Sequence, residues 1–220
     1  MSTQRRHWIT APRFAPLLGA VIGAVGGGVY WLGAQIWPTS IAVVLSMLAT
    51  ALLSARTSAP AGSGSRRDSD TRAGAAASTA DFGLVGLVFT VLVKYNALMA
   101  LSAAKLPFAL PANLALGLIM IAGHASSRAL GVSVLTSPAD VDSPPVSHGD
   151  LGIALAMGFA PAAVLGIPGL IGLAGAIVGR IAFVAYLRRS HPSHTAAELG
   201  ALPLTEVCFY LSALAAWAYI

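Results

Sequence analysis

Five ionisable side chains stand inside long apolar stretches of this chain: Lys94, His124, Arg128, Arg180 and Glu206. A charge in hydrocarbon costs about 2.5–3.5 kcal/mol on insertion scales, so such residues pair with one another or serve a site. His124 and Arg128 are four residues apart and share a helix face. Three cations converging with one carboxylate would make an anion pocket suited to phosphate. A plainer reading has Arg128 and Arg180 reaching a membrane interface with their long side chains, while Glu206 neutralises one of them. Lys94 resists that reading, because it lies about 18 Å from the start of its stretch.

The elements that must position these residues are apolar helices. The chain has 220 residues, 56% hydrophobic and 10% charged, against about 25% charged in a soluble domain. Apolar runs cover about 15–37, 39–55, 82–104, 112–134, 151–166, 169–187 and 204–220, and about 20 residues suffice to cross the hydrocarbon. The expected fold is therefore an all-α, polytopic transmembrane bundle of about six or seven spans, a single membrane-embedded domain over 1–220. The pair 151–187, with its tight Gly166–Gly169 turn, also reads as one re-entrant hairpin. In this scheme Lys94 lies in the third span, His124 and Arg128 in the fourth, Arg180 in the sixth, and Glu206 opens the last. Gly19, Gly23 and Gly27 recur every four residues and give the first span a smooth stripe for close helix packing.

Charges outside the spans set orientation. Nine of the thirteen Lys and Arg residues fall in the N-terminal tail, in 54–80 or in 188–203, which seven spans place on one side. The positive-inside bias predicts a cytoplasmic N-terminus and a multi-pass protein of a bacterial inner membrane. That placement accounts for the net charge of +5 and argues against nucleic acid as a partner. The segment 54–80 contains no Leu, Ile, Val, Met, Phe, Trp or Tyr, so it is expected to be a mobile cytoplasmic loop, and 188–203 is expected to be a second loop on the same side. His191 and His194 have metal-compatible spacing, but nothing nearby completes a site. Asp68 and Asp70 alone do not make an ordered one. No phosphate-loop, nucleophile-elbow or dinucleotide motif occurs.

Several stretches resemble the membrane-embedded cobalamin synthase family, the adenosylcobinamide-GDP ribazoletransferases. RFAPLLGAVIGAVGGGVYWL followed by PTSIAVVLSMLATALL is similar to two successive helices of that family. FGLVGLVFTVLVKYNAL resembles its lysine-bearing helix and aligns Lys94. GHASSRALGVSVL resembles its histidine-to-arginine helix and aligns His124, Ser127 and Arg128. AELGALPLTEVCFYLSALAAW resembles its closing helix, with Gly200 and Glu206 in register.

The resemblance implies a transferase of vitamin B12 biosynthesis that joins adenosylcobinamide-GDP to α-ribazole, or to its 5′-phosphate, and releases GMP. It implies Lys94, Arg128 and Glu206 as catalytic residues, His124 and Ser127 as substrate-binding residues, and Mg²⁺ as cofactor. Arg180 joins the substrate-binding residues on physical grounds, as a phosphate clamp like Lys94 and Arg128. One departure concerns the metal. The acidic signature that the family carries between its second and third helices does not occur in 54–80, and the threonine-glycine-aspartate near its C-terminus reads Thr195-Ala196-Ala197. Glu198 and Glu206 are the acids left as metal candidates, and low turnover is expected. The composition of 54–80 also fits GC-rich coding sequence read in a shifted frame. Two other functions suit the pattern: a small-molecule transporter, with the buried cations lining an anion path, or a non-catalytic membrane subunit. Self-association is compatible with each.

Overall fold

The computed structural model describes residues 12–58, 86, 88–103, 111–134, 147–190 and 194–219. Among these residues a 3-10 turn at Pro12–Phe14 leads into seven α-helices: α1 (Ala15–Ile36), α2 (Thr39–Ser58), α3 (Val88–Ala103), α4 (Ala112–Val134), α5 (His148–Val164), α6 (Ile167–Ser190) and α7 (His194–Ala218). Each apolar run becomes a helix. Ala15–Ile36, Ala112–Ser133 and Ile167–Tyr186 are long and apolar enough to cross a membrane unaided, and the rest are shorter apolar helices. Val21, Leu32, Ile36, Phe89, Val164, Ile167 and Val178 form part of the outer surface. A water-exposed protein rarely carries so many large apolar side chains on its surface, and a bilayer is the solvent that suits them. The protein is a multi-pass helical membrane protein.

Local sequence explains the helix ends. Trp37 is extended (φ −119°, ψ 160°), as expected of a residue that precedes proline, so α1 stops and α2 begins two residues later. Ser147 caps α5 by accepting the Asp150 N–H at 3.1 Å. Between α5 and α6 the chain reverses at Gly166, whose φ of +69° suits a residue without a Cβ.

Two expectations are corrected. Residues 188–203 are not a loop through their length, because α6 continues to Ser190 and α7 starts at His194. Arg188, Arg189 and Glu198 are good helix formers, so the helices outrun the apolar stretches that announced them. Glu206 consequently lies about 18 Å into α7 rather than at its start. Likewise residues 54–58 belong to α2; residues 59–80 of the expected loop lie outside the described residues.

The helix at the centre is α4, with 78% of its apolar window buried against 39% for α1 and 33% for α6. It packs against α1, α5, α6 and α7. Its small residues, among them Ala115, Gly117, Ala122, Gly123, Ala125 and Ser126, let four neighbours approach closely. Without a hydrophobic drive between helices in lipid, such close packing is the main source of association. The glycine stripe of α1 is used inside the molecule. Cβ atoms at Gly19, Gly23 and Gly27 would run into the α4 backbone at His124, at Met120–Ile121 and at Gly117 respectively. Rising positions on α1 meet falling positions on α4, so the two helices are antiparallel. The pairs Gly123–Tyr210 and Gly131–Leu202 make α4 and α7 antiparallel, and Gly172–Ala213 with Gly179–Cys208 do the same for α6 and α7. The Arg13–Asp150 ion pair (3.8 Å) joins the starts of α1 and α5, which places those two ends together. These relations match strict alternation of direction along the chain.

Candidate active site

Three helices bring one group of ionisable side chains together in the packed interior. From α3, Lys94 Nζ reaches Glu206 Oε1 of α7 at 2.6 Å. From α4, His124 Nε2 lies 3.1 Å from the same oxygen; the approach is close without the alignment of a hydrogen bond. The Tyr210 hydroxyl, one turn along α7 from Glu206, donates to that oxygen at 2.8 Å. Lys94 and Glu206 side chains are 13% and 8% exposed, and His124 is 6% exposed. A carboxylate so deeply placed is tolerable only beside a cation and donors, and Lys94 and Tyr210 supply both. Lys94 Nζ also lies 6.0 Å from the Tyr210 ring centroid, at the outer limit of a cation–π contact.

Each member of the group is held by its own helix. Gly123 makes room for Tyr210, since a Cβ there would sit 2.6 Å from Tyr210 Cε1. Tyr210 is fully buried and stacks edge-on against Phe209, ring centroids 5.9 Å apart. Ala97, Leu98 and Leu101 bury the far half of α3 and fix the turn that carries Lys94. Ser127 returns its hydroxyl to the His124 carbonyl at 3.0 Å, and Ser126 donates across to the Gly158 carbonyl of α5 at 3.1 Å.

The sequence-derived residues therefore divide. Lys94, His124 and Glu206 converge. Arg128 lies one turn from His124 along α4, with its Cδ against Gly19 of α1. Ser127 is buried and bonded within its own helix. Arg180 stands apart: its Nε and Nη2 donate to the hydroxyl and carbonyl oxygens of Ser133, the latter at 2.9 Å. Ser133 sits in the last turn of α4, where carbonyls have no intrahelical partner, so Arg180 closes the end of that helix. Tyr210 was not singled out from sequence. Its signal was the four-residue spacing from Glu206, which sets the two on one face.

The donor set around Glu206 suits a charge-balanced network and does not suit Mg²⁺, which prefers several carboxylate and water oxygens. Among the described residues no three of His, Cys, Asp or Glu come together, and Glu206 Oε1 already meets Lys94, His124 and Tyr210. The Glu198 side chain lies outside the described residues. What the cluster can offer is cationic. An ammonium has three N–H groups and, among the described residues, Glu206 Oε1 is the carboxylate oxygen that meets Lys94, so the cluster offers a cationic head to an anion.

Comparison with known proteins gives a consistent set of relatives. A family description, cobalamin-5-phosphate synthase, matches residues 2–56. The chain is 32% identical to an adenosylcobinamide-GDP ribazoletransferase of Leptothrix cholodnii, over 95% of this chain and 86% of that protein. A protein of the same description from Shewanella frigidimarina is 28% identical over 93% of this chain and 84% of its own length. Another, from Ralstonia nicotianae, is 33% identical over 57% of this chain, a match that spans about half (49%) of that relative's length. No solved structure matches the chain.

Proposed function

Since this chain belongs to the adenosylcobinamide-GDP ribazoletransferase family of cobalamin biosynthesis, we propose that its helical bundle transfers the corrinoid-linked phosphoryl group of adenosylcobinamide-GDP to a free ribose hydroxyl of α-ribazole or of α-ribazole 5′-phosphate. A phosphorus–oxygen bond forms to that hydroxyl oxygen, the phosphoanhydride bond to GMP breaks so that GMP leaves, and the hydroxyl proton passes to water. The observation that carries the reading is the convergence of Lys94, His124 and Glu206 from three helices within one buried cluster.

Phosphoryl transfer asks a protein chiefly for positioning and for positive charge near the transferred oxygens. Lys94 presents its ammonium to those oxygens, and Arg128, with its planar fork, takes the neighbouring phosphate. Glu206 is engaged by Lys94 and Tyr210, so its part is to fix Lys94 rather than to accept the nucleophile's proton. Ser127 and His124 shape the α4 side of the site, and Arg180 acts by holding the end of α4. Diphosphate chemistry normally draws on Mg²⁺; the donors around Glu206 do not suit that ion, so any Mg²⁺ would come bound to the diphosphate of the substrate, and no step is assigned to it. The N-terminus faces the cytoplasm of a bacterial inner membrane, following the positive-inside bias.

The decisive experiment is GMP release from adenosylcobinamide-GDP and α-ribazole by membranes containing this chain, alongside complementation of a synthase-deficient host. Release above control membranes, abolished by Lys94→Ala, supports the reading. Absence of release under conditions where an intact relative turns over would sink it.

A further inference from the structure

We propose that Tyr210 is a positioning residue for this reaction, acting through Glu206 on Lys94. The proposal rests on the function given above. Glu206 and Tyr210 face the same way on α7, and the Tyr210 hydroxyl donates to the very oxygen that Lys94 meets at 2.6 Å. A glutamate has three rotatable bonds and a lysine four, so an ion pair between them is loose unless something fixes one end. Tyr210 supplies that fixed point. Its ring is clamped between the Gly123 surface of α4 and Phe209, and its residue is completely buried. The carboxylate is thereby tied to a ring packed closely against α4, and the ammonium is tied to the carboxylate. His124, which also borders this oxygen, is the alternative partner to which an unpinned carboxylate would swing. Arg128, one turn along α4, is the remaining charge on that face. The Tyr210 ring also lies beneath Lys94 Nζ at 6.0 Å, so Tyr210→Phe removes the hydroxyl alone and keeps both the packing and the ring beneath the cation.

The test uses the full chain in membranes and two readouts on wild type, Tyr210→Phe, Glu206→Gln and the double variant. The first is reductive methylation of Lys94 followed by mass spectrometry, which reports whether the amine is held. It should run faster in Tyr210→Phe than in wild type. Equal rates overturn the proposal whether or not the chain is active. The second is GMP release. Tyr210→Phe should lower kcat about tenfold with KM little changed, and the double variant should be no slower than Glu206→Gln. An unchanged kcat, a change in KM alone, or effects that multiply in the double variant overturn it. If wild-type membranes release no GMP, the proposed reaction fails, and the methylation rates still decide whether Tyr210 holds Lys94 through Glu206.

Discussion

Gly19 of α1 rests on the His124 carbonyl of α4: a Cβ at position 19 would overlap that oxygen and come within 3.0 Å of Arg128 Cδ. This close contact of α1 with α4 thus sits directly over the turn that bears His124 and Arg128. The methyl of Gly19→Ala cannot be accommodated by moving a flexible side-chain tip, because backbone atoms stand in the way. We expect it to cost about 1–3 kcal/mol, the usual range for overpacking, and to reduce GMP release. Gly28→Ala is the control, since nothing lies within 4 Å of a Cβ there. Thermal unfolding in detergent and turnover on the same preparations check both. Equal behaviour of the two variants would contradict the account.

Lys94 and Glu206 should separate stability from chemistry. Lys94→Met leaves a buried carboxylate without its cation, a loss of about 3–5 kcal/mol when one partner of such a pair is removed. Adding Glu206→Gln should restore much of the lost stability, because the uncompensated charge is gone. GMP release should stay abolished in both. Recovery of turnover in the double variant would show that the ammonium plays no chemical part.

Arg128 and Arg180 should fail in different ways. Arg128→Ala is expected to raise KM for adenosylcobinamide-GDP by about tenfold, equivalent to one charge-assisted contact of about 1.4 kcal/mol. Arg180→Ala removes two hydrogen bonds to Ser133 and should mainly lower stability, by about 1.5–3 kcal/mol. Steady-state kinetics with parallel unfolding curves distinguish them. A KM rise in Arg180→Ala as large as that in Arg128→Ala, at unchanged stability, would return Arg180 to the substrate.

Sidedness has a direct chemical test. In a Cys208→Ser background, Ser65→Cys should resist an impermeant maleimide applied outside intact cells, while Lys105→Cys should react. Labelling of position 65 from outside would reverse the orientation and place the N-terminus away from the cytoplasm.

The sequence reports membrane depth better than helix length. Every described helix was legible as an apolar run, because a span must be apolar over the hydrocarbon thickness. The ends of α6 and α7 were not, because Arg188, Arg189 and Glu198 change the polarity of a helix without breaking it. Lys94, His124 and Glu206 were legible as a group, since each charge in an apolar span needs a partner. Arg180 was grouped with them on depth alone. The rotation of α6 about its axis, which turns Arg180 toward Ser133, depends on packing against α4 and α7 and leaves no mark in hydropathy. Tyr210 was overlooked because a tyrosine among apolar residues looks like core until the carboxylate one turn before it is seen to share its face.

The turn at Gly166 bears on how the chain enters its membrane. It leaves α5 and α6 almost touching, with Gly169 against the Ala162 carbonyl, so little backbone lies between the two helices without a hydrogen-bonded partner. The α5 helix has 17 residues and begins with His148 and Asp150, whereas the Ile167–Tyr186 window of α6 has a mean hydropathy of 1.9, the highest of the three long spans. A hairpin this tight can leave the translocon as one piece, the partition energy of α6 carrying its weaker neighbour with it. Lengthening the turn with polar residues would uncouple the two, and α5 would then have to insert on its own hydrophobicity.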